Sequence, residues 1–291
     1  MNLACRALTS AGDGLLLQTP VYQRILALPA YTGRACHEME LTRQADGRYA
    51  IDFDAFEAAI NDRTRVFVLC NPHNPVGRVF QRDELQRMAE ICLRHDVIIC
   101  SDEIHCDLLF PDHRHLPIAS LDPEIADRTI TFMAPTKPYN LAGLHCGFVI
   151  ISNSDLREEF VAAGRDLVRE PGIMGYAAAL AGYREGQPWL DELLRYLGAN
   201  RDALLNYVRN HLPGIHITEP EATYLAWLDC RQAGIRGNAQ QFFLQHARVA
   251  LNDGIQYGRG GEGFVRLNFG CPRSTLVEAL DRMREALSGL R

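Results

Sequence analysis

The chain has 291 residues, 47% hydrophobic and 8% aromatic, enough to bury a large core and too apolar for a disordered chain. Acidic residues number 36 against 30 basic ones, a formal charge of −6, and no run of basic residues forms a stripe that could track phosphates, which argues against a nucleic-acid partner. The 9 cysteines include no CxxC pair and several sit inside apolar runs, so they read as reduced core thiols of a cytoplasmic protein; neither a membrane span nor an export leader is predicted.

In chain order, GLLLQT (14–19) predicts a strand, followed by a helix from Tyr22. RVFVLC (65–70) predicts the next strand, with a helix from about Arg82 to His95 behind it. DVIICS (96–101), TITFMA (129–134) and CGFVIIS (146–152) predict three more, the last again followed by a helix. Strand and helix in alternation imply an α/β fold, a mostly parallel sheet with helices on both faces. From about Gly175 the texture changes to a long helical stretch (191–212), separated strands TYLAWLD (223–229) and GFVRLNFG (263–270), and a closing helix. In that helix Thr275 and Glu278 stand at capping-box spacing, with Leu276, Leu280, Met283 and Leu287 on one face. The expected organisation is a large domain over 1–190 and a smaller α+β domain over 191–291.

Ligands of open α/β sheets gather at the carboxyl ends of the strands. After GLLLQT comes Pro20-Val21-Tyr22; after RVFVLC comes Asn71-Pro72-His73-Asn74-Pro75-Val76-Gly77. After DVIIC comes Ser101-Asp102-Glu103-Ile104-His105, and just beyond TITFMA lies Lys137. A lysine at the buried end of a core strand is costly unless its charge is removed or paired. Pyridoxal phosphate chemistry needs an amine to form a Schiff base, a carboxylate to keep the pyridine nitrogen protonated, a donor to the phenolic oxygen and a flat partner for the ring. The rim supplies a candidate for each.

The stretches NPHNPVG (71–77), SDEIHCDL (101–108), TKPYNLAGL (136–144) and GEGFVRLNFGCPRS (261–274) resemble the fold-type I, aspartate-aminotransferase-like enzymes of the class I/II aminotransferase family. More narrowly they resemble its C–S lyase branch, the cystathionine β-lyases that include a modulator of the maltose regulon. The resemblance implies a pyridoxal phosphate enzyme, usually a homodimer with active sites at the subunit interface. By position Lys137 resembles the Schiff-base lysine, Asp102 the partner of the pyridine nitrogen, Asn74 the asparagine facing the phenolic oxygen, Tyr22 the ring-stacking aromatic and Arg266 the clamp for the substrate α-carboxylate. His105 stands where aspartate aminotransferases carry tyrosine. Ala134 replaces a common phosphate-binding serine, leaving Thr136 as the nearby hydroxyl. Relatives also place an N-terminal arm and a phosphate-binding turn before the residues that match Met1, so the chain reads as N-terminally incomplete. The implied reaction is α,β-elimination from cystathionine or a related cysteine S-conjugate; an aminotransferase, or an impaired or regulatory protein that keeps the fold, are the alternatives.

Three other constellations carry less. His105, Cys106, Asp112, His113 and His115 can be drawn as a metal site, but their spacing is not that of zinc ligands and no metal is expected. GRGGEG (258–263) does not follow a strand and open a helix, so it reads as a turn rather than a phosphate loop. Cys146 has no charge pattern to lower its pKa and reads as a buried thiol.

Overall fold

The computed structural model describes residues 1–290 except 166 and 169. Its main sheet has six strands: β1 (Gly14–Thr19), β2 (Ala35–Glu40), β5 (Thr64–Cys70), β6 (Ile98–Asp102), β7 (Thr129–Met133) and β8 (Phe148–Ile151). Between β2 and β5 lies a small hairpin of β3 (Thr42–Arg43) and β4 (Tyr49–Ala50). The order across the sheet is β2-β1-β5-β6-β7-β8, with every neighbour parallel except the antiparallel pair β7 and β8. The chain therefore steps outward from β1 to β2 and then returns to the other side of β1, which makes β1/β5 the switch point where a crevice opens.

Side chains that alternate along each strand fill two cores. Leu16, Phe67, Leu69 and Ile99 pack against Leu85, Met88 and Ile91 of α5 (Arg82–Arg94). Leu15, Leu17, Val66, Val68 and Ile130 face the opposite side, against Ala4 and Cys5 of α1 (Asn2–Leu8), Ile25 of α2 (Gln23–Leu26) and Leu28 of α3 (Leu28–Thr32). Burial on both faces is why these strands are continuous apolar runs. The helix α5 is anchored at its start by Glu84, whose carboxylate accepts from Gln81 N at 2.8 Å, the return half of a capping box. Shorter helices α4 (Phe53–Ala58) and α6 (Pro123–Asp127) and the longer α7 (Ser154–Gly164) complete the layers.

Two features depart from the sequence pattern. β2 reads ACHEME and buries only Met39, so it carries no apolar signature; it pairs because it is an edge strand whose backbone is satisfied by β1. The closing helix starts at Arg273 behind Pro272, so Thr275 lies inside its first turn and caps nothing. Pro at the end of the preceding extended segment sets the helix start instead.

The later part of the chain holds α8 (Ile173–Glu185), α9 (Gln187–His211), α10 (Ala239–Phe242), α11 (Arg273–Ser288) and a second sheet. That sheet is antiparallel, in the order β11 (Asn252–Asp253), β12 (Phe264–Asn268), β10 (Leu225–Asp229), β9 (His216–Ile217). On its outer side Ala226, Leu228, Val265 and Leu267 pack with Leu197, Leu204 and Val208 of α9 and with Leu276, Leu280 and Met283 of α11. On the inner side Trp227 and Phe264 stack and join the core of the main sheet, where the Trp227 indole N–H donates to the Tyr49 hydroxyl at 3.0 Å. This inner face brings Arg266 of β12 over the carboxyl ends of the main strands.

Candidate active site

Four strand ends build the rim. Behind β1, Tyr22 opens α2, and its carbonyl accepts from Ile25 N at 2.8 Å and Leu26 N at 3.0 Å. Behind β5, the turn through Gly77, at φ +78, folds Asn74 into the cleft, where it is 5% exposed. Between these loops sits His73, fully buried, with Nε2 2.8 Å from Pro20 O and Nδ1 3.2 Å from Cys70 O. Burial is the largest cause that brings its pKa down to about 4, so it stays neutral near pH 7. A neutral imidazole can donate to only one of the two carbonyls, and the shorter contact marks Pro20 O.

Asp102 ends β6, and among the described residues its carboxylate accepts one hydrogen bond, from Ile104 N at 3.3 Å. Burial pushes its pKa up to about 6 against the opposing effect of the Ile104 amide, the chain's N-terminal ammonium and Lys137. A half-buried acid with one weak donor suits a cationic N–H. His105 lies beyond it, its ring edge-on to Tyr224 with centroids 5.9 Å apart and Nδ1 without a partner among the described residues. Burial first, then the charges of Lys137 and Arg266, bring the His105 pKa down to about 3, so its ring is neutral.

Lys137 follows β7 on a tight turn held by Tyr139 N to Pro135 O and Leu141 N to Thr136 O, each 3.1 Å. It is the only lysine among the 291 residues. Neither its amine nor the Thr136 hydroxyl has a side-chain partner among the described residues, and its charge is felt by both Asp102 and His105. Arg266 completes the group from β12. Its Nη1 donates to Asn74 Oδ1 at 3.0 Å and its Nη2 to Asn252 Oδ1 at 2.9 Å, and the guanidinium lies over the Tyr257 ring at 5.2 Å. Both acceptors are neutral amides, and among the described residues no carboxylate pairs with this arginine. Because guanidinium only donates, Asn74 must turn its oxygen toward Arg266 and its NH2 away from it.

Among the described residues the site thus holds an amine without an acid, an acid without a cation and a guanidinium without a carboxylate. Tyr22, Asn74, Asp102 with His105, and Thr136 with Lys137 follow the ends of four main strands, and Arg266 reaches over them from within β12. Three neighbours lay beyond sequence reasoning: Asn252, opposite Arg266 only through the β11–β12 register; Tyr224; and Thr223, a β-branched residue at φ +72 whose N–H donates to Leu108 O at 2.7 Å. The remaining histidines of 105–115 go elsewhere. His115 Nε2 meets Glu103 Oε2 at 2.7 Å, Ser101 donates to Glu103 Oε1 at 2.8 Å, and His113 faces Glu221 at 4.0 Å.

Strand order, switch point and rim define the class: this is the fold of the fold-type I, aspartate-aminotransferase-like enzymes. A crystal structure of cystalysin from Treponema denticola, described as containing a pyridoxal 5'-phosphate cofactor, superimposes with a TM-score of 0.95 at 34% identity, over 100% of this chain and 74% of that one. The chain belongs to the aminotransferase class I and II family, whose model matches residues 1–283. Among its relatives are cystathionine beta-lyase PatB of Bacillus subtilis, 39% identical over 99% of this chain and 75% of that protein. Protein MalY of Escherichia coli is 34% identical over 98% of this chain and 73% of that protein.

Proposed function

We propose that the chain is a pyridoxal phosphate-dependent carbon–sulfur β-lyase, which splits a cysteine S-conjugate such as cystathionine into a thiol, pyruvate and ammonia. The observation that carries this reading is the set of three unpaired charges, Lys137, Asp102 and Arg266, at the mouth of one switch-point crevice; the relatives named as cystathionine beta-lyases supply the reaction type. The residues fit the cofactor: Lys137 Nζ would be the amine that holds it, and Asp102 would keep its ring nitrogen protonated. The Asn74 NH2, turned away from Arg266, would donate to its phenolic oxygen, Tyr22 would supply the flat partner for the ring, His105 a neutral imidazole beside it and Thr136 a hydroxyl for the phosphate. When bound, pyridoxal phosphate supplies an electron sink for the substrate Cα.

The protein's own part is binding and proton handling. Arg266, braced by Asn74 and Asn252, holds the α-carboxylate in a planar fork and so fixes the direction of the Cα–H bond. The Lys137 amine, which has no side-chain partner among the described residues, would accept the Cα proton as general base. The Cβ–S bond would then break with its electron pair on sulfur, the thiolate would take the proton from Lys137 and leave as thiol, and water would hydrolyse the enamine to pyruvate and ammonia.

The same reading takes 1–190 as the cofactor-binding unit, 191–291 as the smaller unit and the cytoplasm as the compartment. It also takes a homodimer as the working form, supported by an apolar surface on α8 and β8: Ile173 is 83% exposed, Met174, Tyr176 and Leu180 are more than half exposed, and Phe148 packs against Tyr183 at 6.1 Å. Cystathionine supplied with pyridoxal phosphate should give pyruvate and thiol in equal amounts. Amino transfer that depends on an added oxo acid, with no thiol released, would make the chain an aminotransferase instead.

A further inference from the structure

A half-buried guanidinium is costly to leave without a counter-charge, and among the described residues Arg266 has none. Asn74 and Asn252 offer it only amide oxygens. Its third neighbour, Tyr257, has no part in the chemistry above, yet its ring carries the guanidinium with Cζ 5.2 Å from the centroid.

The ring is held from behind. Tyr257 closes the short helical turn Gly254–Tyr257 and is fully buried. It meets Trp227 edge-on, centroids 5.2 Å apart at 68°, and Trp227 stacks on Phe264 at 5.1 Å and 10°. The β10–β12 register sets Trp227 directly across from Arg266, while Phe264 precedes Arg266 on the same face of its strand. All three rings belong to the core of the main sheet, so Tyr257 cannot swing away from the guanidinium without unpacking that core. Its carbonyl also accepts from Val21 N at 2.9 Å, next to Tyr22, so the clamp and the flat partner of the cofactor ring hang on one residue.

The ring, rather than the hydroxyl, is the working part. The Tyr257 hydroxyl has no partner among the described residues. Burial is the main cause that pushes its pKa up to about 12, so near pH 7 the attraction comes from the π face and not from a phenolate. An acid in this place would occupy the planar fork and pair off the charge that a substrate carboxylate needs; a ring face attracts the cation and leaves the fork open.

Resting on the reading of Arg266 as the clamp for the α-carboxylate, we propose that Tyr257 is a positioning residue for that clamp: its π face replaces a counter-ion and fixes the guanidinium while leaving the charge available to the substrate.

Equilibrium binding of L-norleucine and of pentylamine to the protein loaded with pyridoxal phosphate isolates the carboxylate, since the two differ by that group alone and neither has a leaving group at Cβ. Tyr257→Phe keeps the ring and should hold both affinities within about twofold. Tyr257→Leu should weaken norleucine by about fivefold or more and leave pentylamine within about twofold. A ring that only fills space would weaken both ligands alike, and that result overturns the proposal; so does a loss in Tyr257→Phe equal to that in Tyr257→Leu. Because leucine leaves a gap in the core, a second series keeps the shape: phenylalanines with successive fluorines in place of Tyr257 drain the π face, and norleucine affinity should fall with each fluorine. A flat series overturns the proposal. Arg266→Gln is the control for the underlying reading. If it fails to separate norleucine from pentylamine, the clamp is wrong and the proposal falls with it; if it separates them while the Tyr257 variants do not, the proposal alone falls.

Discussion

Replacing Arg266 by glutamine is the sharpest test of how the site recognises its substrate. The guanidinium donates to two amide oxygens and has no acid of its own, so its charge is free to meet a carboxylate. Glutamine removes that charge yet can still donate to one of the two amides, so folding stability should fall by only about 1 kcal/mol. Losing one partner of a half-buried, charge-assisted pair costs about 2–5 kcal/mol, or roughly 30- to 5,000-fold in kcat/KM. Most of the loss should appear in KM, since the clamp is made in the ground state as well as later. The assay compares a cysteine S-conjugate with its decarboxylated amine by binding to the wild type and to Arg266→Gln. The amino acid should lose affinity by the full factor while the amine, which has no carboxylate, should bind both proteins equally. If the amine loses as much as the amino acid, Arg266 acts by shaping the cleft and the carboxylate clamp is wrong.

Because Lys137 is the only lysine, borohydride reduction of the protein with pyridoxal phosphate should fix one label per chain, on the peptide that contains it; label confined to the amino group of Met1 would refute that assignment, and Lys137→Ala should lose several orders of magnitude in turnover. Asp102→Asn should lower kcat more than it raises KM, so equal kinetic defects in it and Arg266→Gln would undo their separate roles. The raised Asp102 pKa of about 6 favours the unliganded fold while the carboxyl is neutral, and that stability is lost as pH rises from the ordinary 3.8 through 6. The loss is at most about 3 kcal/mol, less for the face this carboxyl keeps open to the cleft. Binding a protonated pyridine requires the ionised acid, so cofactor affinity should climb from about pH 5 to about pH 7, a rise that equilibrium dialysis should find abolished in Asp102→Asn. Leu180→Glu, which puts a charge on the exposed apolar face of α8, should shift sedimentation from dimer to monomer, and an unchanged dimer would place the interface elsewhere.

What the sequence determined by itself is what local chemistry encodes. Five of the six main strands are legible from unbroken apolar runs; inside the sheet burial on both faces demands them, as in Leu15 to Leu17 or Val66 to Leu69, whereas the edge strand β8 keeps its run with Phe148 and Ile150 exposed. The residues behind those runs were legible too, because a parallel sheet sends every such strand to the same rim; Tyr22, Asn74, Asp102 and Lys137 could be grouped before any coordinate was known. The polar edge strand β2 was not, since pairing on one side and solvent on the other leave no apolar pattern to read. Nor was the bracing of Arg266: Asn252 and Asn74 are 14 and 192 residues away and meet it only through the β11–β12 register and the folding of the second sheet over the first. The lone charge of that arginine and the neutrality of His105 are likewise tertiary facts. Each depends on which groups from distant segments surround a side chain and how much water they exclude, and neither quantity is written in the neighbouring sequence.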